Sequence, residues 1–268
     1  MSRPRAGYIG FNRVPAAEAE SAPGVWTLRE AEAARRDSAD PYFSNVSLLL
    51  HMDGSGSTFV DSSGTPKTVT ANGDATQSTA QSKFGGKSAY FDGNGDSLRI
   101  ANPATSFGAF SGDFTVECWI RWNQLPPGDG SGNERQIVGQ HIWAEAASGN
   151  WWCLLGISSG LVFYAAGGGS FEQASAPFGW STGQWYHVAA CRSGGTMRMF
   201  VDGAQRGQSA QITKTLFADN TRPLAIGGDS NNVSNMINGY IDELRITKGV
   251  ARYTGSAFSV PAAPFSNW

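Results

Sequence analysis

The sequence predicts an all-β protein of antiparallel sheets packed face to face. Three observations carry this. Glycine fills 34 of 268 positions, and glycine enters positive φ without strain, which marks tight turns. Aromatics reach 12% while charged residues reach only 16%, against about 25% charged in an ordinary chain. Turn signals recur at the roughly 8–12-residue spacing of a sandwich. A coiled coil would be rich in Glu, Lys, Ala and Leu, and a disordered chain would lack the aromatics.

Residues 1–45 stand apart as an N-terminal arm, with the sandwich over 46–268. Thr27-Leu28-Arg29-Glu30 is a capping box, in which hydroxyl and carboxylate each satisfy an orphan amide. The Ala-rich run that follows favours helix, and Pro41 stops it. The spacing predicts an extended arm over 1–26, a short helix over 27–37 and a linker over 38–45. The arm carries Tyr8, Ile9, Phe11, Val14 and Trp26, large apolar groups that need a surface to pack on.

From Val46 the chain reads as strand and turn. Val46–Met52 is the first strand. Lys87–Asp92 and Asp96–Ile100 flank Gly93-Asn94-Gly95, which reads as a hairpin turn. Phe114, Val116, Cys118 and Ile120 alternate with Thr115, Glu117, Trp119 and Arg121, the period of a half-buried strand. Gln136–Ile142, Trp151–Ile157 and Leu161–Ala165 follow. Gln184–Arg192 and Met197–Val201 flank a second hairpin turn, Ser193-Gly194-Gly195. Pro223–Gly228 and Tyr240–Thr247 close the sheets. Gly167-Gly168-Gly169 lacks the Lys-Ser/Thr and following helix of a phosphate loop, so it reads as a flexible strand connection.

Bulk properties exclude some partners. The net charge of −2 leaves no electrostatic footprint for nucleic acid. No apolar run approaches the ~18 residues of a membrane span. The start, MSRPRAGYIGFNRVP, lacks the apolar stretch of a secretory signal. Cys118, Cys153 and Cys191 fit neither zinc nor redox spacing and read as buried thiols.

Six segments in order carry a family resemblance: SLLLHMDGSGSTFVDSSG, SKFGGKSAYFDGNGDSLRI, DFTVECWIRW, GQWYHVAACRSGGTMRMFVDG, PLAIGGD and GYIDELRITKGVARYT. Together they resemble a laminin-G-like domain of the concanavalin A-like lectin/glucanase superfamily, over about residues 46–265. The resemblance implies a jelly roll of two curved antiparallel sheets. Gly24–Glu32 resembles the segment that precedes such domains in structural proteins of tailed bacteriophages. The ending KGVARYTGSAFSVPAAPF is similar to phage-borne versions.

The superfamily includes retaining glucanases, which need two carboxylates about 5–5.5 Å apart and place them in an E-x-D-x-E pattern. No such pattern occurs here. Asp242 and Glu243 are adjacent on a strand, where neighbours face opposite ways, and Glu117 stands alone. No Ser-His-Asp or Cys-His arrangement is readable, and His51, His141 and His187 read as structural. The expectation is a non-enzyme.

Asp242 shares strand parity with Leu244 and Ile246, so it should point inward, where a carboxylate needs a partner. It either accepts backbone amides of the first strand's loop or binds Ca²⁺. The resemblance implies calcium at a sandwich edge, with Asp53, Asp61 or Asp96 as candidates for further oxygens. A lectin-like glycan face would draw on Trp143, Trp151 and Trp180, with Asp229, Asn231, Asn232 and Asn235 in a polar loop. Core packing of the tryptophans and ordinary turn chemistry of the loop are the bland alternatives.

The expected function is a virion structural protein of a tailed bacteriophage, as capsid decoration, fibre or tail appendage. The arm would anchor it to other virion proteins and sister subunits, in a homo-oligomer for which phage fibres suggest a trimer. The sandwich would face outward toward host-surface glycans. Assembly in the host cytoplasm and release by lysis would suit the missing export signal. The alternative is a free carbohydrate-binding, lectin-like module.

Overall fold

The computed structural model describes residues 39–130, 132–141, 149–231 and 234–268. The predicted helix over 27–37 and the arm residues Tyr8, Ile9, Phe11, Val14 and Trp26 lie outside them. The chain divides into two compact units, one of residues 1–43 with 266–268 and one of Ser44–Phe265. Within the small unit, the Asp40 amide donates to the Trp268 carbonyl at 2.7 Å.

The large unit is a jelly-roll sandwich of two antiparallel sheets. The first sheet runs, in spatial order, β13 (Ala204–Gln205), β12 (Thr196–Val201), β11 (Trp185–Ser193), β6 (Phe114–Trp122), β16 (Asn238–Lys248), β4 (Ser88–Asp92) and β3 (Thr76–Ser78). β1 (Val46–Leu50) pairs with β16 through Leu48, Leu49 and Leu50, and β14 (Ala210–Gln211) pairs with β12. The second sheet runs β10 (Ser170–Pro177), β9 (Gly160–Gly167), β8 (Trp151–Ile157), β7 (Arg135–Gly139), β15 (Leu224–Ile226), β5 (Ser97–Ile100) and β2 (Thr70–Asn72). Among the described residues the one α-helix is Pro103–Phe107, and no helix is long and apolar enough to cross a membrane. All three cysteines are buried and free.

The core lies between the sheets, where alternate residues of each strand meet. Phe114, Val116, Cys118, Ile120 and Trp122 enter from β6, and Trp152 and Leu154 enter from β8. Trp152 lies 5.8 Å from Phe163 and 5.2 Å from Phe217, so offset and edge contacts of rings fill the interior.

Three local expectations are corrected. Gly93-Asn94-Gly95 is not a hairpin turn, because β4 pairs with β16 in the first sheet and β5 pairs with β15 in the second. The turn carries the chain between layers, whereas Gly194 and Gly195 close a true hairpin between β11 and β12. β6 is buried on both faces rather than half-buried, because residues 249–265 lie over its outer side. The Thr115 hydroxyl donates to the Val250 carbonyl at 3.0 Å, and the Tyr253 hydroxyl donates to Glu117 at 2.7 Å.

The third correction concerns Asp242. β16 carries a bulge between Asp242 and Arg245, with Glu243 at φ 49°. A bulge inserts one residue and resets the alternation. Leu244 and Ile246 therefore join Ile241 in the core, while Asp242 turns to the outer side. There its carboxylate accepts the amides of Lys83 at 2.8 Å and Phe84 at 3.1 Å.

Candidate functional site

The two outer faces differ in what covers them. On the first sheet, Glu117 is fully buried. Arg245 donates to its Oε1 through Nε at 2.9 Å and Nη2 at 2.8 Å, and His187 Nε2 sits 3.2 Å from its Oε2. Burial would raise the Glu117 carboxyl, but Arg245, His187 and Arg252 outweigh it and hold the group far below the usual carboxylate range. Phe265 stacks on the Arg245 guanidinium at 3.7 Å. This network leaves a substrate no access.

The second sheet presents aromatic side chains. Strand parity puts Trp152 and Leu154 of β8 in the core, so Trp151 faces out. Pairing aligns Trp151 with Ala166 and Ala166 with Phe171, and in the next row Cys153 with Tyr164 and Tyr164 with Gln173. Trp151, Tyr164 and Phe171 thus share one face across three adjacent strands. Ala166 keeps the space between Trp151 and Phe171 low. Phe171 is 57% exposed, far more than any core aromatic, and its ring meets Tyr164 edge-on at 6.0 Å. Trp151 and Tyr164 are half-buried over a floor of Cys153, Leu155 and Val162.

Beside Trp151, the His141 ring approaches to 4.7 Å. Burial pulls the His141 pKa down to about 4, with Arg222 adding to the fall and Asp229 opposing it, so this imidazole is neutral at pH 7. Arg222 Nη1 donates to the Asn150 carbonyl at 3.3 Å. The rim around Trp151 is therefore an aromatic surface with the His141 ring and the Arg222–Asn150 contact beside it.

The expected site residues fare differently. Trp151 lies on the platform. Trp180 is a core residue: it packs edge-on against Trp122 at 5.9 Å, and its Nε1 donates to the Ile157 and Gly160 carbonyls at 3.0 and 2.9 Å. It cannot stack on a ligand. Asp229 is buried and holds its own loop, accepting from the Asn231 amide at 3.2 Å and the Ser234 hydroxyl at 2.6 Å. Asn231 is exposed at that loop, and Asn235 is buried. Trp143 and Asn232 lie outside the described residues.

Among the described residues, Asp242 is not grouped with two of Asp53, Asp61 and Asp96 closely enough to share one cation. Asp61 is saturated: Oδ1 accepts the Leu49 and Ser63 amides at 3.0 and 2.9 Å, and Oδ2 accepts the Ser63 hydroxyl and the Lys67 amide at 3.0 and 2.8 Å. Among the described residues, the one group of three or more metal-ligating types with atoms within 4.8 Å of one another is Asp74, Asp92 and Asp96. Only Asp96 belongs to the expected set. Its oxygens accept the Asp74 and Asp92 amides at 2.8 and 3.0 Å, and burial raises its pKa to about 6. Three carboxylates so placed have the chemistry of a hard-cation donor set.

Sequence reasoning missed Tyr164 and Phe171. β10 reads Ser-Phe-Glu-Gln-Ala-Ser-Ala-Pro, too polar to register as a strand. The available signal was the Gly168-Gly169 turn, both residues at positive φ, joining a clear strand to a period-two run.

A family model described as the concanavalin A-like lectin/glucanases superfamily, of laminin-G type, matches residues 92–252. No curated protein matches by sequence. Among solved structures, the chain is similar to the fourth domain of an extracellular arabinanase from Geobacillus stearothermophilus, solved with arabinotriose. The identity is 22% and the TM-score 0.57, covering 77% of this chain and 94% of that one. It is also similar to the binding domain of Paraclostridial Mosquitocidal Protein 1, at 17% identity and TM-score 0.57, covering 77% of this chain and 49% of that one. The binding domain of botulinum neurotoxin serotype D matches at 17% identity and TM-score 0.55, covering 78% and 49%. At these identities the likeness is one of fold.

Proposed function

The chain belongs to the concanavalin A-like lectin/glucanases superfamily, and on that premise we propose that it is a non-catalytic carbohydrate-binding protein of a tailed-phage virion. The observation that carries recognition is the aromatic face of the second sheet, with Trp151, Tyr164 and the exposed Phe171 on three neighbouring strands. A flat ring gives the C–H face of a sugar an apolar partner, and exposed aromatics grouped on one face mark interaction surfaces. The arabinanase domain solved with arabinotriose supports the same reading of the fold.

The non-catalytic reading is supported by where the buried carboxylates go. Glu117 is locked to Arg245, and Asp61, Asp229 and Asp242 accept backbone or hydroxyl donors. The virion reading rests on the residue pattern of 1–45, whose Tyr8, Ile9, Phe11, Val14 and Trp26 would anchor the chain to other virion proteins and sister subunits. Repeated copies on a particle would turn weak sugar affinity into avidity.

Glycan-array screening followed by calorimetry tests recognition. Phe171→Ala and Trp151→Ala should each weaken glycan binding about tenfold, near 1.4 kcal/mol, with a folded sandwich. Unchanged affinity in both variants would remove the platform. Serine at Tyr8, Ile9 and Phe11 in the full chain should abolish incorporation into particles; full incorporation would refute the anchoring role.

A further inference from the structure

Cover on the outer side of the first sheet stops at Trp119. Along β6, Thr115 and Glu117 meet residues 249–265. Trp119 lies under Phe84, with rings 5.8 Å apart, and under Lys83 Nζ at 3.9 Å. Arg121 comes next on that face and is the one residue of β6 that is not buried. Ile120 and Trp122 beside it point into the core, so its side chain stands outward.

Strand pairing continues this row on both sides. Arg121 lies opposite Tyr240 of β16 and Trp185 of β11, and Tyr240 lies opposite Tyr90 of β4. Their chain neighbours Ala89, Phe91, Tyr186 and Ile241 are core residues, so all four side chains share the outer face. The Tyr90 and Tyr240 rings are 5.1 Å apart, and the Arg121 guanidinium lies 5.7 Å from the Tyr240 ring. Trp185 and Tyr90 are half-buried. Four strands at the usual spacing make a row about 14 Å long, the reach of a short oligosaccharide.

The row carries a charge without a counter-charge. Among the described residues, the Arg121 side chain makes one hydrogen bond, from Nη1 to the neutral Asn123 Oδ1 at 2.9 Å, and no carboxylate pairs with it. Its remaining nitrogens are not among the sheltered, unpartnered atoms of the fold, so they reach solvent. A guanidinium keeps its charge at any ordinary pH. Acidic groups lie only toward the Tyr90 end, where Asp92, Asp96 and Asp74 add to a rise in the Tyr90 pKa led by burial and Tyr240. A negative ligand group is therefore favoured at Arg121 and disfavoured at Tyr90.

We infer that this row is a second saccharide site, which takes an acidic glycan with a sugar carboxylate on Arg121 and ring faces on Trp185 and the Tyr240–Tyr90 pair. Guanidinium forks match planar carboxylates, and aromatic rings give the C–H face of a sugar an apolar partner. An acidic peptide would find the cation but has no such face for the rings. The inference extends the carbohydrate-binding reading to the other sheet and uses none of the Trp151 platform residues.

Calorimetry on the full chain compares a galacturonate trisaccharide, its methyl ester and a glutamate tripeptide. The acid sugar should bind at least tenfold more tightly than the ester or the peptide. Arg121→Gln should remove the preference for acid over ester. Asn123→Asp sets a carboxylate against Nη1 and should do the same, and it serves if Arg121→Gln does not fold. Trp185→Ala should weaken acid and ester alike. Equal binding of the ester or the peptide would overturn the inference. So would a preference that survives both Arg121→Gln and Asn123→Asp, or galacturonate binding lost in Phe171→Ala. Neutral glycans bound through Phe171, with silence toward galacturonate, would sink this site alone. Galacturonate bound through Arg121, with neutral-glycan binding untouched by Phe171→Ala and Trp151→Ala, would sink the platform alone. Silence toward every sugar would sink both.

Discussion

The outer faces of the two sheets are built from similar side chains and end in opposite states. On the first sheet, Phe258 stacks on Tyr253 with centroids 3.5 Å apart, and both lie over Phe200 at 5.2 and 6.0 Å. On the second, Phe171 meets one ring edge-on and leaves 57% of its surface to solvent. The charges follow suit: Arg245 has Glu117 for a partner, while Arg99 has two sheltered nitrogens and no acceptor among the described residues. The difference comes from chain path. Residues 249–265 fold back over the first sheet and meet Thr115, Glu117 and Arg245, so these polar groups are structural. The second sheet leaves Phe171 of its β8–β10 aromatics open. Residue type alone does not separate structure from recognition; coverage does.

Removing the charge of Glu117 is the strongest way to break this contrast. Glu117→Gln leaves Arg245 buried without its counter-charge, and breaking a buried pair from one side costs about 3–5 kcal/mol. Because the Glu117 carboxyl is held far below its ordinary value, its contribution is fully present above about pH 4.5 and is lost only as pH falls toward the folded value. Urea denaturation at pH 7 should show the whole deficit. A loss under about 1 kcal/mol would mean that the covering segment, not the ion network, seals this face. The matching change Arg99→Gln should cost little stability, since its Nε and Nη2 have no acceptor among the described residues to lose.

Asp242 gives an effect of opposite sign on the same face. Burial pushes its pKa up to about 7, with Glu243 and Asp53 adding to the rise and the Phe84 and Lys83 amides opposing it. Among the described residues its Oδ1 is buried without a partner. The unfolded chain sheds this proton near 3.8 and the folded chain near 7. Between those values the folded state binds more protons, so stability falls as pH rises. Each tenfold difference in proton affinity between the two states is worth about 1.4 kcal/mol. With relaxation absorbing part, Asp242→Asn should gain about 2 kcal/mol at pH 8 and nothing near pH 4. A variant that melts in parallel with the parent at both pH values would show that Asp242 stays ionised at no cost.

The legible and illegible parts of the molecule divide along physical lines. Long, strongly apolar strands are readable: Trp151–Ile157 matches its predicted span residue for residue. Turn chemistry is readable but ambiguous, since Gly93-Asn94-Gly95 and Ser193-Gly194-Gly195 look alike and only the second closes a hairpin. Which partner each strand finds is a long-range fact. The β16 bulge is illegible for the same reason, because nothing in Ile-Asp-Glu-Leu-Arg-Ile marks the residue that takes positive φ. That one residue moves Asp242 from the expected inward face to the outer one, while Asp61 and Asp96 of the expected set are held by backbone amides elsewhere. The proposed sugar face is half-legible. Trp151 stands out by type, and Trp180 looks equally fit by type though it fills the core.

A matched pair of phenylalanines gives the smallest and most discriminating test. Phe258→Ala removes a half-buried ring from the Tyr253 and Phe200 stack. Full burial loss for Phe→Ala runs about 3–5 kcal/mol, so a half-buried ring should cost about 1–2 kcal/mol. Phe171→Ala removes an exposed ring with one distant edge contact, and such surface changes fall within about ±0.5 kcal/mol. Thermal melts of both variants, read beside sugar affinity, decide between coverage and residue type. If Phe171→Ala lowers stability as much as Phe258→Ala does, the second face is packed like the first, and its aromatics hold the fold instead of waiting for a ligand.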